Sequence, residues 1–89
     1  MTPHHEPALD PDAVLAGVLR ILEQATRRSQ PAATMDTRLY DLEGLDSLRL
    51  LETVALAEEH FGVLVDTGGL GQMETLGDVV RLVAIGRRA

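Results

Sequence analysis

The sequence predicts an all-α fold, a small bundle of three to four helices, on three observations. Three segments repeat apolar residues at helical spacing, each bounded by capping residues and stop signals. The one short apolar run that could form a strand has no matching run elsewhere to pair with. With 89 residues, 45% of them apolar, the chain suffices for one core and not for two. One Phe, one Tyr and no Trp require that core to be aliphatic.

Residues 1–9, with Pro3, Pro7, His4 and His5, show no apolar period and read as a flexible N-terminal tail, leaving 10–89 as the domain. His4, His5 and Glu6 have no third or fourth ligand at metal-site spacing, so no metal site is expected. Asp10 reads as an N-cap with Pro11 at the first helical position and Asp12 in the first turn, all favourable at the positive end of a helix. Val14, Leu15, Val18, Leu19, Leu22 and Ala25 then recur at helical spacing down to Arg27 and Arg28, whose charges suit a helix C-terminus. Ser29 to Leu45 carries Pro31, scattered Asp and Gly and no sustained period, and reads as a long loop. So long a connection in so small a domain is either functional or anchored by its own side chains, which Leu39, Tyr40 and Leu42 can supply.

Asp46 or Ser47 begins a second helix that runs to Phe61 and stops at Gly62. Val63-Leu64-Val65 is expected as a buried connector, and Gly68, Gly69 and Gly71 around Leu70 and Met73 permit at most one short helical turn. Thr75 followed by Asp78 has the form of a capping box, and Leu76, Val79, Val80, Leu82 and Val83 make a last helix ending at Gly86. Gly77 lies inside that helix at a small cost in propensity.

Several function classes drop out on composition. The absence of cysteine removes disulfides, thiolate metal sites and any thiol nucleophile of the chain's own, so thiol chemistry would have to be imported. A net charge of −6 argues against nucleic acid or an anionic membrane as partner. That charge is concentrated: residues 36–78 hold ten acids against two arginines, for a net of −8. The region is either a solvated surface or an acidic face for basic partner proteins. No long apolar stretch and no basic-plus-apolar leader is present, so the expectation is a cytoplasmic monomer with no membrane span.

The second helix carries two apolar stripes. Leu50, Val54, Ala57 and Phe61 form the stripe assigned to the core, while Leu48, Leu51 and Ala55 point about 100° away from it. This second stripe is either a widened core face or a surface for a partner. Ser47 stands at its edge, on the first turn of the helix, where free backbone N–H groups and the positive dipole end favour an anion attached to the hydroxyl. Asp46 and Ser47 are also good capping residues in their own right. Catalysis by Ser47 itself needs an adjacent base, yet His60, the one histidine outside the tail, is thirteen residues along the same helix. At about 1.5 Å per residue that is about 20 Å away. No glycine-rich phosphate loop, ligand cluster or complete calcium loop offers another route, and the chain is expected not to be an enzyme.

Gly44-Leu45-Asp46-Ser47-Leu48, followed by Leu51, Val54, Ala55, Glu58, Glu59 and Phe61 and then Val63-Leu64-Val65-Asp66, resembles the acyl and peptidyl carrier proteins over about residues 12–85. The resemblance implies an acyl-carrier-protein-like bundle in which Ser47 carries 4′-phosphopantetheine, donated from coenzyme A by a separate phosphopantetheinyl transferase, with Asp46 and Leu48 flanking the attachment point. Substrates would ride as thioesters on the arm's thiol, the thiol this chain lacks. The family's recognition helix corresponds to residues 47–61, which favours the partner reading of the second stripe. Leu48, Leu51 and Ala55 match apolar contact positions, with Arg49, Glu52, Glu58 and Glu59 as the charged surface met by loading enzymes and synthases. Two departures stand out. Glu43 precedes the glycine where the family has an apolar residue, with Leu42 displaced by one place, and Arg49 follows the Asp-Ser-Leu motif where fatty-acid carriers often have an acid. The motif also differs from the Gly-Gly-His/Asp-Ser form of modular peptide synthetases. These features point to a free-standing carrier of polyketide or nonribosomal peptide assembly. The alternatives are a housekeeping fatty-acid carrier and, in another class, a helical docking module without a prosthetic group.

Overall fold

Three α-helices build the core: α1 (Pro11–Thr26), α2 (Ser47–Phe61) and α3 (Leu76–Ala84). The structure, a computed structural model, describes residues 9–89. The expected tail lies outside the described residues except for Leu9, which packs against the core and donates its N–H to the Ala84 carbonyl at 3.3 Å.

Each helix starts and stops for a local reason. The Asp10 carboxylate accepts the Asp12 N–H at 3.3 Å, and α1 ends where Arg27 turns left-handed, φ 59°, with its N–H on the Glu23 carbonyl at 2.8 Å. Asp46 caps α2, and Gly62 terminates it at φ 67° with its N–H on the Glu58 carbonyl. Thr75 and Asp78 cap α3 reciprocally, forming the expected capping box. Val14, Val18, Ile21 and Leu22 of α1 meet Leu50, Val54 and Ala57 of α2 and Leu76, Val79, Val80 and Val83 of α3 in one aliphatic core. Ile21 joins it although the period read from the sequence passed over it. Thr53 is buried as well, at no polar cost, because its hydroxyl donates to the Arg49 carbonyl at 2.7 Å.

Two connections depart from expectation. Val63–Leu64 is a strand, β1, paired antiparallel with β2 (Arg87–Arg88) in the register Val63 to Arg88 and Leu64 to Arg87. The pairing was invisible in the hydropathy pattern because the partner is a pair of arginines. The connector is buried only at Val63, while Leu64 is 52% exposed. The long loop contains a 3-10 helix (Leu39–Asp41) that plants Leu39 in the core, with Leu42 and Leu45 beside it, whereas Tyr40 is 58% exposed and anchors nothing. Most of the loop's anchoring is backbone. The Leu76 N–H donates to Thr37 O at 2.8 Å, the Gly77 N–H to Met35 O at 2.7 Å, and the Leu39 N–H to Glu74 O at 2.9 Å. Gly77 favours the close approach, since a Cβ would stand 2.8 Å from the Met35 carbonyl oxygen. The glycine-rich segment forms a 3-10 helix (Thr67–Gln72), capped by Asp66 and pinned through the buried Leu70; it is the short fourth helix of the expected bundle.

Candidate functional site

The chain reaches Ser47 through a stretch fixed from both sides. The Gln30 carboxamide spans the Glu43 backbone, donating to its carbonyl at 2.9 Å and accepting from its N–H at 3.4 Å. Gly44 then takes φ 79° beside Thr26, and Leu45 drops into the core. Glu43 is thus a surface residue whose main chain is the anchor, with Leu42 buried in the role left open by the displaced apolar position. Asp46 follows in extended conformation, and its carboxylate accepts the Arg49 N–H at 2.7 Å.

That cap leaves the end of α2 open. Among the described residues, the Ser47 and Leu48 N–H groups have no acceptor, because Asp46 serves Arg49 through its side chain and Leu50 through its carbonyl. The contrast with α3 is direct: there the loop carbonyls of Thr37 and Met35 and the Thr75 hydroxyl consume the first three N–H groups. Ser47 is exposed, at the positive end of a 15-residue helix, with two unspent donors beside it. A pocket of about 160 Å³ adjoins it, lined by Tyr40, Leu50, Leu51, Leu70 and Gly71. A larger groove, about 410 Å³, lies past the other end of α2 around Leu64, Leu82 and Ile85, with Asp66 and Arg87 as its charged groups. His60 sits at that far end too, edge-on to Phe61 with ring centroids 4.7 Å apart. Among the described residues no group of His, Asp or Glu is arranged to hold a metal ion, and no helix is long and apolar enough to cross a membrane.

The remaining expected residues distribute as follows. Leu48 and Leu51 are 65% and 51% exposed, and Ala55, Glu52 and Glu59 are exposed with them, so the core uses one stripe of α2 and leaves the other free. Arg49 is half-buried and stands 3.7 Å from Glu52. Glu58 is half-buried, and its carboxylate accepts the Val65 N–H at 2.8 Å, which ties the end of α2 to the next connection. Sequence reasoning missed Gln30 and Tyr40 as residues of this end of the molecule; their distance along the chain from Ser47 left no local signal.

A small helical bundle that presents an exposed serine at an open helix end has the features of an attachment site, and the family described as "Phosphopantetheine attachment site" matches residues 16–83. The chain belongs to this family of carrier proteins, and its prosthetic group is phosphopantetheine. Over 73 residues it is 30% identical to the acyl carrier protein of Renibacterium salmoninarum, across 82% of this chain and 90% of that one. Over 76 residues it is 28% identical to the meromycolate extension acyl carrier protein of Mycobacterium leprae, across 85% of this chain and 66% of that one. The solution structure of a holo acyl carrier protein from Geobacter metallireducens shares the fold, with a TM-score of 0.65 at 24% identity, covering 79% of this chain and 80% of that one.

Proposed function

We propose that the chain carries 4′-phosphopantetheine on Ser47 and serves as a free-standing carrier of acyl or aminoacyl intermediates in polyketide or nonribosomal peptide assembly, without catalytic activity of its own. The open end of α2 carries the reading of the site. The unspent N–H groups of Ser47 and Leu48 and the helix dipole favour the phosphodiester anion at the serine, and the adjoining pocket offers Tyr40, Leu50 and Leu51 to the first atoms beyond it. Bound there, the group supplies a terminal thiol on which cargo is held as a thioester. Among the described residues no free base adjoins Ser47 in the chain: the Asp46 carboxylate is occupied with its cap, and His60 is at the other end of the helix. The proton of Ser47 therefore leaves through the transferase, and the carrier contributes position and electrostatics.

The pathway assignment rests on Arg49 in place of an acid and on the Gln30-clamped Glu43 before Gly44. The names of the relatives favour a second reading, a carrier in lipid chain building. Partner enzymes would meet the exposed Leu48, Leu51 and Ala55 stripe together with Glu52 and Glu59. Incubation with coenzyme A, magnesium and a broad-specificity phosphopantetheinyl transferase should add one phosphopantetheine by intact mass, and Ser47→Ala should stay unmodified. A wild-type chain left unmodified by a transferase active on another carrier would refute the assignment. Loading of the holo protein by an amino-acid-activating or polyketide-type enzyme, set against a fatty-acid malonyl transferase, separates the two pathways.

A further inference from the structure

The end of α1 and the first turns of α2 frame a second groove, about 210 Å³, separate from the pocket at Tyr40. Arg27 and Arg49 line it from the two helices, Gln24 and Glu52 add polar edges, and Ala25 and Leu56 supply apolar wall. Among the described residues Arg27 makes no ion pair. Arg49 has Glu52 at 3.7 Å, with the two side chains 42% and 48% exposed, and a pair of that kind holds a guanidinium weakly. Arg28 comes to the same end of the bundle, its Cγ 3.4 Å from the position a Gly44 Cβ would occupy. These arginines form a basic island at the edge of a region whose net charge is −8 over residues 36–78, ten acids against two arginines.

We propose that the Arg27–Arg49 groove receives an acidic segment of a partner protein, so that the face around Ser47 is bipolar, acidic on one flank and basic on the other. The proposal rests on the carrier reading, which makes the Ser47 end the one that partners approach. Two guanidiniums from different helices present planar donor forks suited to carboxylates, and Gln24 can pair with a peptide amide while Ala25 and Leu56 take an apolar side chain. A nucleic acid fits worse, because its continuous phosphates would meet Glu52 inside the groove and the carboxylates beyond it. Charges at such a rim act mainly on association rate and partner choice. The groove therefore selects among enzymes: it turns away those whose patches are wholly basic and favours those that set a carboxylate opposite Arg49.

The test is an amide-shift titration of the full chain by NMR with blocked hexaglutamate, at an ionic strength of about 20 mM where screening is weak. Shifts should be confined to residues 24–28 and 49–56, and Arg27→Asn/Arg49→Gln should weaken binding about tenfold. Asn is chosen at position 27 because it tolerates the left-handed backbone there. Arg81→Gln/Arg87→Gln, which removes two arginines outside this groove, should leave binding unchanged, and amide dispersion checks the fold of each variant. No shift in these segments, equal weakening by the control pair, or tighter binding of a six-nucleotide oligothymidylate than of hexaglutamate would each overturn the proposal. Modification of Ser47 by a transferase is scored separately, so a failed groove and a failed carrier assignment give different results.

Discussion

Replacing Gly77 with alanine sets two opposing effects against each other inside α3. Alanine is better than glycine in a helix interior by about 1 kcal/mol, which alone would stabilise the protein. The structure places the new Cβ 2.8 Å from the Met35 carbonyl oxygen, a backbone atom that cannot rotate away, and the same oxygen accepts the Gly77 N–H at 2.7 Å. Relieving the overlap moves the loop outward and lengthens that bond; overpacking of this kind costs about 1–3 kcal/mol, and the weakened hydrogen bond adds up to about 1 kcal/mol. The steric effect wins. We expect a net loss of about 1–2 kcal/mol, which for a domain of this size lowers the melting temperature by about 5–15 °C. Gly71→Ala is the control, since nothing lies within 4 Å of its added Cβ, and its melting temperature should hold or rise. Calorimetric melts of both variants decide the matter, with hydrogen exchange at Leu76 and Gly77 as a local readout. A Gly77→Ala protein that melts as high as Gly71→Ala, with those amides still protected, would refute the view that the loop is strapped to α3 through this contact.

The two stripes of α2 should separate stability from recognition: Val54→Ala, at a site 1% exposed, should cost about 1–2 kcal/mol, while Leu51→Asp, at one 51% exposed, should melt nearly as wild type and slow turnover by partner enzymes. Thermal melts that fall further for Leu51→Asp would reverse the assignment. A pH effect is expected at Asp78, whose carboxyl is held from its ordinary 3.8 down to about 2, chiefly by the Glu74 and Thr75 N–H groups that both donate to Oδ2, with Arg81 adding to it. A carboxyl with a lower pKa folded than unfolded stabilises the fold above the unfolded value, and that contribution fades as pH falls from about 4 to about 2. Asp78→Asn should therefore flatten the stability profile in that window, as followed by urea unfolding at stepped pH; parallel profiles for the two proteins would count against the capping box as an acid-sensitive element.

Signals that live within one turn of helix were legible in the sequence. Asp10, Thr75 with Asp78, and Gly62 act on neighbours two to four residues away, and the helix bounds follow them closely. The position of Ser47 on the first turn of α2 was legible for the same reason, since a helix end is a local object. What escaped involves partners far apart in the chain. The β1–β2 pairing joins Val63 and Leu64 to two arginines whose own pattern says nothing of strands. The Gln30 bridge to Glu43 joins residues thirteen apart through a side chain with many possible partners. Of the three residues expected to anchor the long loop, Leu39 and Leu42 are buried and Tyr40 is not, and the rest of the anchoring falls to backbone bonds that any residue type can make.

The strap between residues 35–39 and the start of α3 has a consequence for the order of events in the cell. The loop that leads to Ser47 is held in part by a helix synthesised about thirty residues later, so its strap is complete only when the last third of the chain has folded. A nascent or truncated chain contains the same Asp-Ser-Leu tripeptide but lacks the bonds from α3 to residues 35–39. On the proposed assignment, an enzyme that recognises the folded loop would in effect inspect the whole domain before committing coenzyme A to Ser47, and the prosthetic group would be a certificate of completed folding as well as a tool for carrying cargo.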